Sequence, residues 1–283
     1  MKVSLILATV NRRKEVEKFL LSLKKQIYKN FELILCDQNN PGFLDDLIVY
    51  YKKAFPIIHL YTQKGLSNSR NEGIKNISGE IVAFPDDDCF YPPFLLQEVV
   101  NFFKSNPTYQ VLTCVSRDEG GKISQGRFRR KAGRVTKWNV FFSGISYTIF
   151  LKKEVIEKVG PFDINLGVGS GTPFNSGEET DYILRALERG FKIYYNPHLF
   201  VFHEDKVKEY NDFVVRRAFN YGMGAGAVLK KHKFPLFYFL YFLVRPLVGA
   251  FFSLILFKFK KANFHFNQFL GRLQGWLRYE DLR

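Results

Sequence analysis

Apolar residues alternate between two rhythms along the first third of the chain. Val3 to Ala8 is a short, nearly unbroken apolar run, followed by Val16, Phe19, Leu20, Leu23 and Ile27 at i, i+3, i+4, i+7 and i+11. The first pattern predicts a buried strand and the second one face of a helix. The alternation continues: Phe31 to Cys36 reads as a strand, Leu44 to Phe55 as a helix, Ile57 to Tyr61 as a strand, Ser67 to Ile77 as a helix and Glu80 to Phe84 as a fourth strand. Such an order predicts an α/β fold with a mainly parallel sheet and helices on both faces. Ligands of these sheets sit at the carboxyl ends of the strands. Polar residues gather there: Thr9, Asn11 and Arg12 after the first strand, Asp37, Gln38 and Asn39 after the second, and Asp86, Asp87 and Asp88 after the fourth. No Pro/Gly/Ser linker or internal repeat divides residues 1–203, which read as one domain, with residues 204–283 as a helical tail.

The tail differs in kind. Residues 234–257, FPLFYFLYFLVRPLVGAFFSLILF, approach the roughly 20 apolar residues that cross a bilayer, but Arg245 and Pro246 stand at the centre. Lys230, Lys231 and Lys233 precede the segment, and Lys258, Lys260 and Lys261 follow it. Cations at both ends favour the cytoplasmic face for each, and so a re-entrant or in-plane segment over a simple crossing. The alternatives are a buried helical hairpin or a dimer interface.

Charge reinforces this reading. The 283 residues carry a formal net charge of +15, and the tail holds fourteen Lys and Arg against six acids. A nucleic-acid partner is not expected, because no zinc-finger, helix-turn-helix or RNA-binding pattern accompanies the cations, which flank apolar sequence instead. A second basic run, Arg127, Arg129, Arg130, Lys131, Arg134 and Lys137, reads as a solvated loop or a contact to an anionic headgroup or phosphate. At 46% hydrophobic the chain is too apolar for disorder. Cys36, Cys89 and Cys114 are scattered in apolar runs, which points to a reducing compartment, and the N-terminal apolar stretch is too short for a secretion signal.

The carboxylates carry the chemistry. Three adjacent aspartates in FPDDDCFYPP repel one another, so something must neutralise them. Oxygen donors suit Mg²⁺ or Mn²⁺, ions that fill their remaining shell with water and substrate phosphates. A diphosphate is the natural partner; the plain alternative is a solvated turn.

ILATVNR, ILCDQN, GLSNSRNEGI, GEIVAFPDDD and SGEETDYILRALERG occur in that order over residues 1–203. Together they resemble the inverting family 2 glycosyltransferases of the GT-A fold. The resemblance implies a nucleotide-diphosphate sugar donor, a glycan or lipid-linked acceptor of cell-surface polysaccharide assembly, and a divalent cation, Mn²⁺ or Mg²⁺. It implies that Thr9 and Asp37 meet the nucleoside base and that Arg70 lies by the diphosphate. Asp86 would lie by the ribose and Asp88 on the metal, with Asp86 and His203 as further candidate ligands. Asn11, Arg12 and Asp87 join the donor side by position. Asp37 has a simpler alternative as a turn cap, Arg70 as a partner of a surface acid, and His203 as a core histidine.

In the family the general base lies in the second acidic motif, usually as the aspartate of a Glu-Asp pair. Glu179 takes that position here, one methylene longer, and Glu178 competes with it. An inverting transfer needs one carboxylate to deprotonate the acceptor hydroxyl. Ser176 and Glu179 also have capping-box spacing. GVGSGTPFN lacks P-loop residues and reads as a mobile acceptor-side loop, and Tyr221 to Gly226 followed by His232 reads either as a polysaccharide-assembly stretch or as small residues for helix packing. A sugar-nucleotide pyrophosphorylase is the enzymatic alternative, but ATVNRRKEV lacks the expected glycines; a non-catalytic membrane-bound scaffold is the other.

Overall fold

The computed structural model describes residues 1–204 and 209–279. They form two compact units. The first comprises Met1–Lys64, Asn68–Phe162 and the stretch from Tyr182 through the last strand; the second comprises Gly65–Ser67, Asp163–Asp181 and the C-terminal helices. The sequence reading draws one line after residue 203, whereas by chain contacts residues 65–67 and 163–181 group with those helices as well.

The first unit is built on one mixed sheet. Strands β1 (Val3–Thr9), β2 (Phe31–Asp37), β3 (Ile57–Tyr61) and β4 (Ile81–Ala83) pair in parallel in the order β3-β2-β1-β4. The helices α1 (Arg13–Lys24), α2 (Asp45–Tyr51) and α3 (Leu66–Ile74) follow the first three strands in turn. The order then continues through β8 (Ile149–Lys152), β6 (Val111–Arg117), β9 (Ile193–His203) and β5 (Cys89–Phe90), with β7 (Gly133–Arg134) also paired to β9. The β4–β8, β6–β8, β5–β9 and β7–β9 pairs are antiparallel, and β6–β9 is parallel. Every residue of β1 and β2 is buried, as strands covered on both faces require.

Alternate residues serve different faces. Leu5 and Leu7 join Phe19, Leu20 and Leu23 of α1, together with Leu95, Val99 and Phe103 of α4 (Leu95–Ser105), in the main core. On the other face Gly73 of α3 lies so close to Ile6 and Cys36 that a Cβ there would collide with the Ile6 side chain. Burial of each such Leu or Phe is worth about 1.5–3 kcal/mol.

Several boundaries fall short of the pattern. Ile27 fits the apolar face of α1 by spacing, yet the helix ends at Lys24 and Ile27 is 63% exposed. The second helix stops at Tyr51, the third at Ile74, and β4 keeps three residues. The segment after α3 turns into β4 around Glu32, whose carboxylate accepts from Lys2 Nζ (2.6 Å), Ser4 Oγ (2.6 Å) and the Ser78 amide (2.8 Å). The basic run at 127–137 is partly built in: Arg129 donates to the Arg134 carbonyl and lies 5.5 Å from the Tyr195 ring, while β7 pairs with Tyr194 and Tyr195.

The second unit is helical. Asn211 caps α7 (Asp212–Lys231) by accepting from the Val214 amide; α8 (Leu236–Ile255) and α9 (Phe259–Arg278) follow. Pro246 lies inside α8, which is nonetheless assigned as one helix. Gly222 and Gly226 of α7 face Gly271 and Gly275 of α9, and a Cβ at any of the four would meet the opposing backbone. The glycine-rich stretch is therefore a close helix crossing, the packing alternative of the sequence reading.

The contacts of Glu32 favour its ionised form over the opposing cost of burial and hold its carboxyl at about 2, below the ordinary value of 4.5. A lowered carboxyl stabilises the fold fully above the unfolded value and ceases to as pH falls through the folded one. Thermal melts of the wild type are expected to lose stability between about pH 4.5 and 2 more steeply than those of Glu32→Gln, which at neutral pH should already be about 1–3 kcal/mol less stable. Parallel pH profiles would exclude Glu32 as the source.

Candidate functional site

The acidic turn is positioned by strand pairing. Asp86 continues β4 and bridges to Ala8 at the end of β1, and two residues beyond Asp87 the chain enters β5, where Cys89 pairs with His203. The β5–β9 pair thus carries His203 to Asp88 from more than a hundred residues away. Ligand atoms of Asp86, Asp88 and His203 all lie within 4.8 Å of one another.

Protein cations already serve the aspartates. Arg12 Nη1 donates to Asp87 Oδ1 (2.8 Å) and Asp88 Oδ2 (2.6 Å), and Arg70 Nη2 donates to Asp86 Oδ1 (3.0 Å). Repulsion among the three acids is therefore answered in part by the chain itself. Arg70 is fully buried, with its guanidinium 5.9 and 5.6 Å from the Phe84 and Phe162 rings, and it pairs with Asp86 rather than with an acid of its own helix. A buried guanidinium is tolerated only with such a partner. Thr9 Oγ1 donates to Asp87 (2.8 Å). Burial, helped by Asp88 and Asp86, pushes the Asp87 carboxyl up to about 6 against the pull of Arg12 and Thr9.

The donor set nevertheless fits a divalent cation. His203 Nδ1 lies 2.7 Å from the Glu204 carbonyl oxygen, which can only accept, so this nitrogen carries a hydrogen and Nε2 faces Asp88 Oδ1 at 2.9 Å. That second contact is favourable only with a proton or a cation between the two atoms. A histidine oriented through its other nitrogen by a carbonyl is the usual arrangement around a metal. Tyr147 stacks on the His203 ring at 4.9 Å and fixes its plane. Ser146, on the same 3-10 turn, donates to Asp86 Oδ1 at 3.3 Å.

The remaining strand-end residues are held more locally. Asp37 is buried; its Oδ1 accepts from the amide and side chain of Asn39, and its Oδ2 lies 3.1 Å from His59 Nε2. It does cap its turn, and His59 joins it from β3. Asn11 has a left-handed backbone (φ 56°), and its amide donates to Asn39 Oδ1 (2.6 Å). His59, Ser146 and Tyr147 escape sequence reasoning because single polar residues in or beside a strand carry no motif; only the parallel register Asp37↔Tyr61 and the sheet order bring them in.

In the second unit, α6 (Glu178–Glu188) opens with three acids in four residues. Glu178 is buried, its carboxyl carbon 3.1 Å from where a Cβ on Gly167 would stand; Glu179 is half-buried; Asp181 is fully buried. The Asp181 amide donates to the Gly177 carbonyl, which makes Gly177 the N-cap and leaves Ser176 one residue outside, its Oγ donating to the Tyr221 carbonyl (3.0 Å), so the capping box suggested by spacing is not formed. Gly167, Gly169 and Gly171 all take positive φ in the preceding loop.

A sheet of this order with an acidic turn and a histidine at its strand ends agrees with the motif resemblance. Residues 4–160, more than half of the chain, match the sequence pattern of glycosyl transferase family 2. The chain belongs to that family. It is a glycosyltransferase of the GT-A fold. The putative glycosyltransferase EpsE of Bacillus subtilis is 26% identical over 289 aligned positions, covering 99% of this chain and 98% of that protein. The GalNAc(5)-diNAcBac-PP-undecaprenol beta-1,3-glucosyltransferase of Campylobacter jejuni is 28% identical over 167 positions, 55% of this chain and 53% of that one. Among solved structures, residues 1–349 of S. aureus TarS superpose with a TM-score of 0.61 at 14% identity, covering all of this chain and 92% of that one. The mannosyltransferase PcManGT of Pyrobaculum calidifontis, solved with GDP-Man and Mn²⁺, gives 0.58 at 16% identity over 79% of this chain and 63% of that one. At these identities the structural similarities establish the fold.

Saturating the Asp86–Asp88–His203 cluster of this family 2 chain with a divalent cation is expected to add about 2.7 kcal/mol at a hundredfold excess over Kd, read as a rise in melting temperature with Mn²⁺. Asp88→Asn should abolish the rise. A rise of wild-type size in that variant would place the ion elsewhere.

Proposed function

We propose that the protein is a metal-dependent, inverting glycosyltransferase that moves a sugar from a nucleoside-diphosphate donor to a lipid-linked glycan at the cytoplasmic face of the cell membrane. The observation that carries this reading is the Asp86–Asp88–His203 cluster at the strand ends of a family 2 chain. Two carboxylates and an imidazole suit Mn²⁺ somewhat better than Mg²⁺, which prefers oxygen alone. The ion would be held by these three residues and, when bound, would offset the charge of the diphosphate. Thr9, Asp37 and the adjoining Asn11 form the rim for the base, and Arg12, Arg70 and Asp87 line the diphosphate side. The Asp37–His59 pair presents fixed donors and acceptors of the kind a base edge needs.

Glu179 is the base. Its carboxylate takes the proton from an acceptor hydroxyl as that oxygen forms a bond to the anomeric carbon; the bond from this carbon to the diphosphate oxygen breaks, and the electron pair leaves with the nucleoside diphosphate. Of the three first-turn carboxylates, Glu178 and Asp181 are buried and Glu179 is not, which supports Glu179 over its neighbour. A single base suffices, because the leaving group departs as a stabilised anion.

The membrane reading rests on α8. Among the described residues it is the one helix long and apolar enough to cross a bilayer. Its inner face, however, is committed to α9: Phe239 stacks on Trp276 at 4.1 Å, Arg272 donates to the Phe242 carbonyl, and Gly249 packs against His265. Crossing would carry Arg272, Gln268 and Asn267 of α9 into hydrocarbon, at high cost. The outer face, with Phe237, Val244, Phe251 and Ile255 more than half exposed, suits an in-plane position instead, with Lys258, Lys260 and Lys261 at the level of anionic headgroups.

A panel of nucleotide sugars assayed for release of nucleoside diphosphate should show turnover that needs Mn²⁺ or Mg²⁺; release of pyrophosphate instead would make the protein a pyrophosphorylase, and no release a scaffold. Glu179→Gln is expected to lose at least about a hundredfold in turnover while calorimetric donor affinity is retained. Near-normal turnover would transfer the role to Glu178. The wild type should pellet with vesicles of anionic phospholipid, and Phe251→Glu/Ile255→Glu should stay in the supernatant. Pelleting of both forms alike would reject α8 as the lipid-facing surface.

A further inference from the structure

Within the second unit, the first turn of α6 is tied to the last turn of α7 by charge. Asp181 Oδ1 accepts from Lys231 Nζ and from His232 Nε2, both at 2.8 Å, and Lys231 Nζ also reaches Asp163 Oδ2 at 2.6 Å. Asp181 is fully buried, His232 is 6% exposed, and the Lys231 side chain is 19% exposed. Burial alone would lower the Lys231 ammonium; Asp181 and Asp163 outweigh it and raise it above the ordinary lysine value. The arrangement joins an anionic helix start to a cationic helix end, the two termini at which those charges are favoured. The backbone is pressed together at the same place, since a Cβ on Gly177, just before α6, would stand 2.8 Å from Val228 of α7.

A surface ion pair would gain little, but a buried one with a second carboxylate and an imidazole fixes geometry, because breaking it leaves an unpaired charge out of water. What it fixes is the turn that carries Glu179, two residues before Asp181.

We propose that Lys231 and His232, acting through Asp181, are positioning residues that hold the first turn of α6 so that the Glu179 carboxylate is aimed at the acceptor hydroxyl. The proposal rests on the reading of Glu179 as the base. Displacing a reacting group by about 1 Å costs as much as a hundredfold in rate, so the clamp acts on turnover and leaves the affinity for donor to other residues.

The test uses the full chain and release of nucleoside diphosphate from UDP-N-acetylglucosamine, or from whichever nucleotide sugar of the panel turns over, with water as acceptor and Mn²⁺ present. His232→Leu and Lys231→Met are each expected to lower kcat at least about tenfold with donor KM within about twofold of wild type, and Lys231→Arg to recover most of the loss. Because Lys231→Met leaves Asp181 short of a partner, Asp181→Asn/Lys231→Met removes the pair as a whole; this folded double variant should show the same loss of kcat. Combined with Glu179→Gln, Lys231→Met should cost nothing further, since the clamp works only through that carboxylate. Wild-type kcat in the double variant, or an undiminished further loss in the Glu179→Gln background, overturns the proposal. Failure of the base reading shows separately, as normal turnover in Glu179→Gln alone.

Discussion

The pairing of two-residue β5 with the end of β9 is the contact on which the candidate site depends. It sets His203 opposite Cys89 and so beside Asp88, and it closes a sheet whose opposite edge is the parallel β3. An antiparallel pair this short contributes little by itself. It is held by what surrounds it: Phe90 stacks on Phe202 at 4.8 Å, Lys18 of α1 covers the Phe90 ring, and Cys89 and Val201 are buried in the core. A one-residue slip would turn His203 away from the acidic turn and expose its apolar neighbours, so register and site are specified by the same burial.

Neutralisation of the acidic turn shows two solutions to one electrostatic problem. Like charges in sequence demand counter-charge, and the chain supplies Arg12 and Arg70 before any ion is considered. The number of aspartates therefore does not by itself argue for a metal. The fit to a divalent cation comes from the way His203 is oriented, with its hydrogen-bearing nitrogen spent on a backbone carbonyl and the other turned to a carboxylate. Arg12 spans Asp87 and Asp88, holding the turn in shape while remaining more solvent-accessible than Arg70.

The second unit follows a different logic. Its α7 and α9 approach through glycine, which brings their backbones into contact, whereas α8 packs on α9 through large side chains such as Phe239 on Trp276 and keeps Phe237, Phe251 and Ile255 exposed on its other face. Where charge is buried it is placed at helix ends, as at Asp181 and Lys231. The exposed apolar side chains of α8, Phe237, Phe251 and Ile255 among them, are the feature on which the proposed lipid contact rests.

The sequence by itself determined the βαβ beginning, the family and the residues that line the strand ends, because period and local motif are properties of neighbouring positions: Val3 to Ala8 is a strand and Val16 to Leu23 one face of a helix whatever surrounds them. It also placed Glu178 and Glu179 at the start of a helix and the apolar segment in the tail. It misjudged Ile27, which continues the spacing past the point where the helix stops, and the Ser176–Glu179 spacing, whose serine lies one residue before the true N-cap, Gly177. Only the tertiary structure decided that Thr9 and Arg12 engage Asp87, that His59 joins Asp37, that His203 faces Asp88 and that Lys231 and His232 grip Asp181. Each of these joins residues brought together by strand register or helix crossing, and such long-range pairing is fixed by burial of the whole chain, which no local pattern encodes.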